Sequence, residues 1–357
     1  MSVFNGEPYL RESVESILSQ TFRDFEFIII NDGSTDGTAD ILTHYQRIDP
    51  RLAVHHQQNK GLIDSLNTGC GLARGRYIAR MDDDDVALPG RLERQISFLE
   101  QNPQVALLGT SVNIIDVSGR RIETLALPAE DELIRQWLFE SRRAPFCHVT
   151  LVFRAEAFRI LQGYRAAFVA AEDYDLWLRF AERWQVANLP EALVNVRRRA
   201  HSLSFSHVRQ QVISILAASA ASSQRRAGGL DPLEGRETVV SRELLRRLGV
   251  SDAAFEKFLM DTYQYWIGAM LQASDQAGAL QVMREALESQ SWKHINKSIV
   301  ANTWLEAARI YFQQGRRLQG ISCTARALAI RPIIAGRPVK RMVSRLGLLP
   351  RADGAHH

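Results

Sequence analysis

Four aspartates stand in a row in YIARMDDDDVALPGRL, residues 77–92. Each carboxylate raises the cost of ionising the next, so Asp82, Asp83, Asp84 and Asp85 either face water as a solvated loop or share a positive partner. A second acidic segment, NDGSTD at 31–36, follows another apolar run. A divalent cation with oxygen ligands is the usual partner of grouped carboxylates, and Mg²⁺ is commonly held by one or two of them together with substrate phosphates. The cluster therefore points to a site for a metal and a diphosphate. A third group, Glu172, Asp173 and Asp175 in AEDYD, has two readings from the residues alone. It decorates a helix N-terminus, where negative charge is mildly stabilising, or it places a carboxylate for proton removal.

Something must hold these acids along one edge. FEFIIIN, residues 25–31, is a continuous apolar run with three consecutive isoleucines, which suits a strand buried on both faces of a parallel sheet. Ahead of it Leu10, Val14, Ile17 and Leu18 share one helical face, with Pro8 near the start, where a missing N–H is harmless. Ile41, Leu42 and Tyr45 mark another helix. The alternation continues with LAVHH as strand, 62–74 as helix, RYIARM as strand, 90–101 as helix and VALLG as strand. Strands separated by helices of this length predict βαβ units, an α/β fold with a mostly parallel sheet flanked by helices. Ligands of such sheets sit beyond the carboxyl ends of the strands, and both NDGSTD and MDDDD lie at such ends.

From about residue 110 the pattern changes. SVNIIDVSGRRIETL alternates around a Ser-Gly turn as a hairpin does, HVTLVF predicts a further strand, 173–184 a helix, and 186–189 and 193–198 two short strands. Mixed, partly antiparallel structure is thus expected beside the parallel core. After residue 205 strand signals fade, and SQRRAGGLDPLEGRET at 223–238 is the most linker-like stretch. The expected division is a first domain over 1–205, a helical linker over 206–250, a helical region over 251–335 and a basic tail over 336–357. Within 301–332, Trp304, Tyr311, Gly315, Ala327 and Pro332 fall at offsets that resemble a tetratricopeptide repeat, with a degenerate partner around Ala279 and Ala286. Two such units are too few to stand alone, so packing against the rest of the chain or pairing in a homo-oligomer is expected; a generic helical bundle is the alternative.

The bulk numbers narrow the class. A length of 357 residues exceeds the size at which single cores stop growing. The formal charge of +4 is small for that length and gives no argument for nucleic-acid binding. The charge is uneven, however. Arg331, Arg337, Lys340, Arg341, Arg345 and Arg351 occupy 331–351 without an acidic residue, which suits either a solvated tail or contact with an anionic membrane surface. Cys70, Cys147 and Cys323 are odd in number and in no metal-ligand spacing, which fits a reducing compartment. No apolar run approaches the ~20 residues of a spanning helix. With no leader-like opening, a cytoplasmic protein, peripheral at the inner face of the membrane, is expected.

Taken in order, SVFNGEPYLRESVESILSQTF, DFEFIIINDGSTDGT, NKGLIDSLNTGCGLARGRYIARMDDDD, LPGRL, AEDYDLWLRF and RRRAHSLS resemble the family 2 glycosyltransferases, inverting enzymes of the GT-A nucleotide-sugar fold. The resemblance covers residues 1 to about 205. It implies a nucleoside-diphosphate sugar as donor, UDP-linked in many members, a glycan or lipid-linked acceptor in surface polysaccharide synthesis, and Mn²⁺ or Mg²⁺ as cofactor. By the same resemblance Asp32 hydrogen-bonds the nucleotide base, Phe4 stacks on it and Ser2 is a neighbouring contact. Asp82 and Asp84 form the Asp-x-Asp motif, with Asp84 as metal ligand and Asp85 close behind; Asp83 stands where members carry a small residue and is expected to be a solvated extra. Asp173 matches the base that removes a proton from the acceptor hydroxyl. His148 and His201 occupy recurring positions, and His201 with Arg197, Arg198 and Arg199 is expected to reach the diphosphate or the metal.

The chain departs from the family in two places. MSVFNGE opens where members normally have a complete Val- and Ile-rich first strand. Most of that strand is therefore expected upstream, with Met1 an internal methionine, since its loss leaves neighbouring strands with unpaired backbone groups. The Gln-x-x-Arg-Trp motif of processive synthases is absent, which favours one sugar per encounter. A sugar-phosphate nucleotidyltransferase shares the acidic α/β site but carries an N-terminal Gly-rich loop with Arg and Lys that is missing here. A non-catalytic scaffold acting through the helical tail is the alternative from another class.

Overall fold

The computed structural model describes residues 1–198, 208–235, 239–272, 275–288 and 297–331. These fall into two compact units, Met1–Ser251 and the chain from Asp252 onward.

The first unit begins with β1 (Ser2–Val3), α1 (Leu10–Leu18), β2 (Phe27–Asp32), α2 (Thr38–Ile48) and β3 (Leu52–Gln57). The isoleucine run builds β2 as the centre of a three-stranded parallel sheet, paired to β1 from Ser2↔Ile30 and to β3 from Phe27↔Leu52 to Asp32↔Gln57. Leu10, Val14 and Ile17 of α1 pack with Phe27, Ile29, Leu42 and Leu52 in one core, the one-sided burial that their helical spacing predicts. The expected crossover pattern holds this far.

After α3 (Leu62–Leu72) come β4 (Tyr77–Ala79), β5 (Val86–Ala87), α4 (Arg91–Gln101), β6 (Val105–Ile115) and β7 (Arg121–Leu125). α5 (Asp131–Gln136), β8 (Val152–Arg154), α6 (Ala155–Ile160), α7 (Glu172–Arg183) and β9 (Gln185–Arg197) follow. A second sheet runs β4-β8-β6-β9-β5, with β7 hairpinned onto β6. Only β6 and β9 pair in parallel here; β4 with β8, β6 with β8, β5 with β9 and β6 with β7 are antiparallel.

Two strand expectations need correction. HVTLVF is strand only over Val152–Arg154, because His148–Thr150 closes a 3₁₀ turn in which Thr150 N–H and Oγ1 both bond Cys147 O, at 2.9 and 2.8 Å. The two short pieces after residue 185 form one strand, β9, whose register jumps from Leu189 to Ala192. Pro190 has no N–H for the ladder, so the chain bulges there instead of ending the strand.

Between the β2 and β4 edges lies a slot of about 810 Å³, lined by Met1, Phe27, Cys70, Tyr77, Met81 and Phe153 among others. β1 reaches β2 there through two main-chain bonds, Met1 N–H to Ile28 O and Ile30 N–H to Met1 O, both 2.9 Å.

Beyond β9, α8 (Val208–Arg226) packs along α7, and a short α9 (Arg242–Arg247) follows. The stretch expected to be a helical linker, 206–250, is thus helical but falls within the first unit.

The second unit contains α10 (Asp252–Gln272), α11 (Gln276–Glu288), α12 (Lys297–Gln313) and α13 (Arg317–Ile330), each packed on the next. Gly315 joins the last pair at φ +73°, and a Cβ on Gly320 would lie 2.7 Å from the Phe312 ring. Ala279, Ala286 and Ala327 are fully buried, and Arg326 stacks over Trp304. Pro332 and nearly all of the basic stretch lie outside the described residues.

Candidate active site

The acidic loop between β4 and β5 is built over buried cations. Arg80, 7% exposed, pairs with Asp82 through Nη1. Beneath it Arg91, fully buried, donates to Arg80 O at 2.7 Å, to Val149 O at 2.8 Å and to Gln95 Oε1 at 3.1 Å. Gln95 in turn donates to Thr150 O at 2.8 Å. The LPGRL motif therefore fixes the backbone under the aspartates.

The four aspartates divide by burial. Asp82, Asp83 and Asp84 are half-buried, whereas Asp85 is 3% exposed. One oxygen of Asp85 accepts from Arg197 N–H at 2.8 Å, and its carbonyl accepts from Ser13 Oγ at 2.7 Å. Burial first, then the charges of Asp82 and Asp84, push the Asp85 carboxyl well up against the pull of Arg197 N–H and Arg80. Asp85 bolts the loop to β9 and α1, and Asp84 is the more open of the two expected metal ligands. Asp83 is not the solvated extra the sequence predicts: a Cβ on Gly6 would lie 2.5 Å from its Oδ2, so the loop after β1 lies against it.

The carboxyl end of β2 forms the adjoining wall. Asp32, 2% exposed, accepts from Gln57 Nε2 at 2.8 Å and from the N–H groups of Lys60 and Gly61 at 2.9 Å. Burial raises its pKa, but the hydrogen bonds from Gln57, Lys60, Gly61 and Ser65 outweigh it and the net shift is downward. Asp32 stays ionised and pins the 57–61 loop. Asn31 caps the turn through Ser34 N–H at 3.1 Å and reaches His56 at 3.1 Å. The loop from Asn5 to Glu7 is laced to this turn, with Thr35 N–H on Asn5 Oδ1 at 2.8 Å and Gly37 N–H on Glu7 Oε2 at 2.9 Å. Phe4 stands 51% exposed at its edge, open to a stacking partner, and Ser2 is half-buried in β1.

The third acidic group enters at the start of α7. Glu172 is buried and Asp173 half-buried. Burial lifts both, with Asp173 adding repulsion on Glu172, so that Glu172 is pushed up to about 8 and Asp173 to about 6. The Tyr174 N–H on Asp173 Oδ1 at 2.7 Å and the charge of Arg80 oppose that rise, while Asp82 adds to it. Arg80 thus acts on Asp82, Asp85, Glu172 and Asp173 together. It brings the loop acids and the α7 acids into one electrostatic site. His148 bonds Tyr164 Oη through Nε2 at 2.8 Å at the border of this site, and burial followed by Arg80 holds its pKa well down. It is a neutral structural partner there.

In the basic cluster at the end of β9, Arg197 does not take the expected role. Arg197 is 5% exposed and spent on Asp84 O at 3.0 Å, on Glu12 Oε2 at 2.5 Å and on the face of Tyr9. Its guanidinium serves the fold and not a diphosphate. Arg198 pairs with Glu123 at 3.2 Å, and Arg199 and His201 lie outside the described residues. Arg80 and Arg91 were not singled out from the sequence; the signal available was an arginine two residues before an acidic run and another inside LPGRL.

Hard carboxylate oxygens suit Mg²⁺ or Mn²⁺. Among the described residues no three His, Cys, Asp or Glu side chains converge tightly enough to hold an ion unaided. Asp84 and Asp85 offer one or two such carboxylate oxygens, the number with which Mg²⁺ is commonly held beside phosphates and water.

The family model described as Glycosyl transferase family 2 matches residues 1–161. The putative glycosyltransferase EpsE of Bacillus subtilis (strain 168) is 40% identical over 202 residues, 55% of this chain and 71% of that protein. The O-antigen biosynthesis glycosyltransferase WbnJ of Escherichia coli is 36% identical over 203 residues, 55% of this chain and 77% of that protein. The amylovoran biosynthesis glycosyltransferase AmsE of Erwinia amylovora is 35% identical over 202 residues, 55% and 74% of the two chains. Among solved structures, TarS 1–349 of S. aureus shares the fold at a TM-score of 0.51 with 15% identity, over 98% of this chain and 91% of that one.

Proposed function

This chain belongs to glycosyltransferase family 2, and we propose that it moves a single sugar, with inversion, from a UDP-sugar to a hydroxyl of a glycan or lipid-linked acceptor during surface polysaccharide assembly. The observation that carries the reading is the ion pair of Asp82 with the buried Arg80, whose charge also acts on Glu172 and Asp173 at the start of α7.

In this reading Phe4 and the Asp32-pinned loop receive the nucleotide, with Ser2 beside them. Asp84, with the remaining oxygen of Asp85 behind it, holds the metal, and Asp82 stays paired to Arg80 at the diphosphate. A bound Mg²⁺ or Mn²⁺ supplies positive charge to the leaving nucleoside diphosphate. Asp173, ionised above about pH 6, takes the proton of the acceptor hydroxyl as that oxygen attacks the anomeric carbon from the side opposite the diphosphate. Glu172, pushed up to about 8, keeps its proton near neutrality and so leaves Asp173 as the single base of the pair.

The biosynthetic names of the relatives support the polysaccharide context. His201 as a diphosphate contact, the cytoplasmic-face location, membrane contact through the basic stretch and self-association through the helical unit are supported by the sequence pattern only. The donor is tested by nucleotide release from a panel of UDP-sugars with and without Mn²⁺. UDP-GlcNAc, with which TarS has been crystallised, heads the panel. Metal-dependent UDP release that Asp84→Ala abolishes is the expected result; UDP release by that variant at the wild-type rate overturns the metal assignment, and no release from any UDP-sugar overturns the donor class.

A further inference from the structure

We propose that α8 and the turn after it belong to the transferase apparatus: they hold the strained loop that aims Asp173, with Arg165 as the positioning residue of the linkage. The inference rests on the reading of Asp173 as the base.

The loop entering α7 turns through left-handed backbone at Gln162, Gly163 and Ala170, with φ of +61°, +75° and +62°. Ala170 stands three residues before Asp173. Non-glycine residues persist in that conformation only where their surroundings over-determine it. Gln162 and Gly163 are held from α7, and the stretch leading into Ala170 is held by chain beyond residue 205. Ser214 Oγ of α8 donates to Val169 O at 2.8 Å, and Val240 N–H donates to Ala167 O at 3.0 Å.

A buried ion network ties the same parts together. Arg165 Nε donates to Asp175 Oδ2 of α7 at 2.9 Å, and its Nη1 donates to Asp231 Oδ2, in the turn after α8, at 2.7 Å. Arg225 of α8 reaches the same Asp231 oxygen at 2.9 Å and Glu182 Oε2 of α7 at 2.7 Å. Arg179 donates to Asp175 at 2.9 Å and to the carbonyls of Leu161 and Gly163 at 2.7 and 2.8 Å. Three cations and three anions close on one another, and Asp175 is fully buried. Such a network fails as a unit when one partner is lost. Weakening it from the α8 side frees the loop to leave its left-handed turn, and Asp173 moves with it. The nucleotide wall, built from β1 to β3, shares no residue with the network.

The test uses the full chain carrying Asp231→Asn or Arg165→Lys, with UDP release from UDP-GlcNAc or whichever panel sugar the wild type hydrolyses. A fall in kcat of about tenfold to a hundredfold is expected, the scale of a 1 Å misplacement, with donor KM within about twofold. Ala170→Gly, which takes φ +62° without strain, should recover most of that kcat in the same chain. Should Arg165→Lys not fold, Ser214→Ala carries the same expectation at about threefold. Unchanged kcat in these variants while Asp173→Asn is inactive overturns the linkage and leaves the base assignment standing; full activity of Asp173→Asn overturns both. A loss equal to that of Leu99→Ala at matched melting temperature, with no recovery by Ala170→Gly, reduces the network to general stability and also overturns the proposal.

Discussion

Asp173 and Glu172 are adjacent carboxyls in one partly buried site, and two such groups cannot both ionise cheaply. Burial raises Asp173 to about 6, so the base is lost as pH falls through that value. The kcat/KM of donor turnover is therefore expected to have an acidic limb near pH 6, falling about tenfold per unit below it. Arg80 favours the charged forms of both carboxyls. Arg80→Met removes that support, so the limb should move to higher pH; a limb that stays in place or moves lower contradicts the role given to Arg80. The aspartates themselves were legible because like charges at a strand end demand a partner. That partner was not, since the field of Arg80 on Asp173 spans ninety-odd positions of sequence and no local pattern encodes it. Arg197 shows the converse. Its place beside His201 in the family motif suggested a phosphate ligand, and only the fold reveals that Asp84 O, Glu12 and Tyr9 already occupy it.

At the scale of elements, α1, β2 and α4 follow from periodicity because each buries a face, α1 and β2 in one core and α4, through Leu99, in another. β8 does so only in part: a strand was expected in HVTLVF, but it is shortened by the Thr150 turn and inserted antiparallel between β4 and β6, a placement set by long-range pairing. Arg91 is the tie between these parts. Arg91→Leu keeps the bulk but leaves the carbonyls of Arg80 and Val149 without their donor, so a loss of about 3 kcal/mol in urea unfolding is expected. An unchanged midpoint would show that the two carbonyls find other donors. Gly6 has a similar role toward the acidic loop. Gly6→Ala puts a methyl 2.5 Å from Asp83 Oδ2, and weaker donor binding is the expected outcome in a thermal-shift titration with UDP and Mn²⁺.

On the whole-molecule scale the chain couples a transferase unit to a helical one. The alternation of strands and helices fades near residue 205, where the first domain was expected to end, whereas the first compact unit runs on to Ser251. The alternation did not predict that α8 packs along α7, because an amphipathic helix advertises a buried face and not what covers it. In the helical unit, Gly320→Val would drive a side chain into Phe312; hydrogen exchange should then rise within 297–331 and stay unchanged in β1–β9. Within the transferase unit, Asp173 is proposed to act on the acceptor while the donor is held elsewhere. The most direct measurement of that role is the Asp173→Asn variant, compared with wild type for donor affinity by calorimetry and for sugar transfer by rate. Donor affinity within about threefold and a transfer rate lower by about 10³ or more are expected; transfer within about fivefold of wild type, at equal donor affinity, would rule Asp173 out as the base.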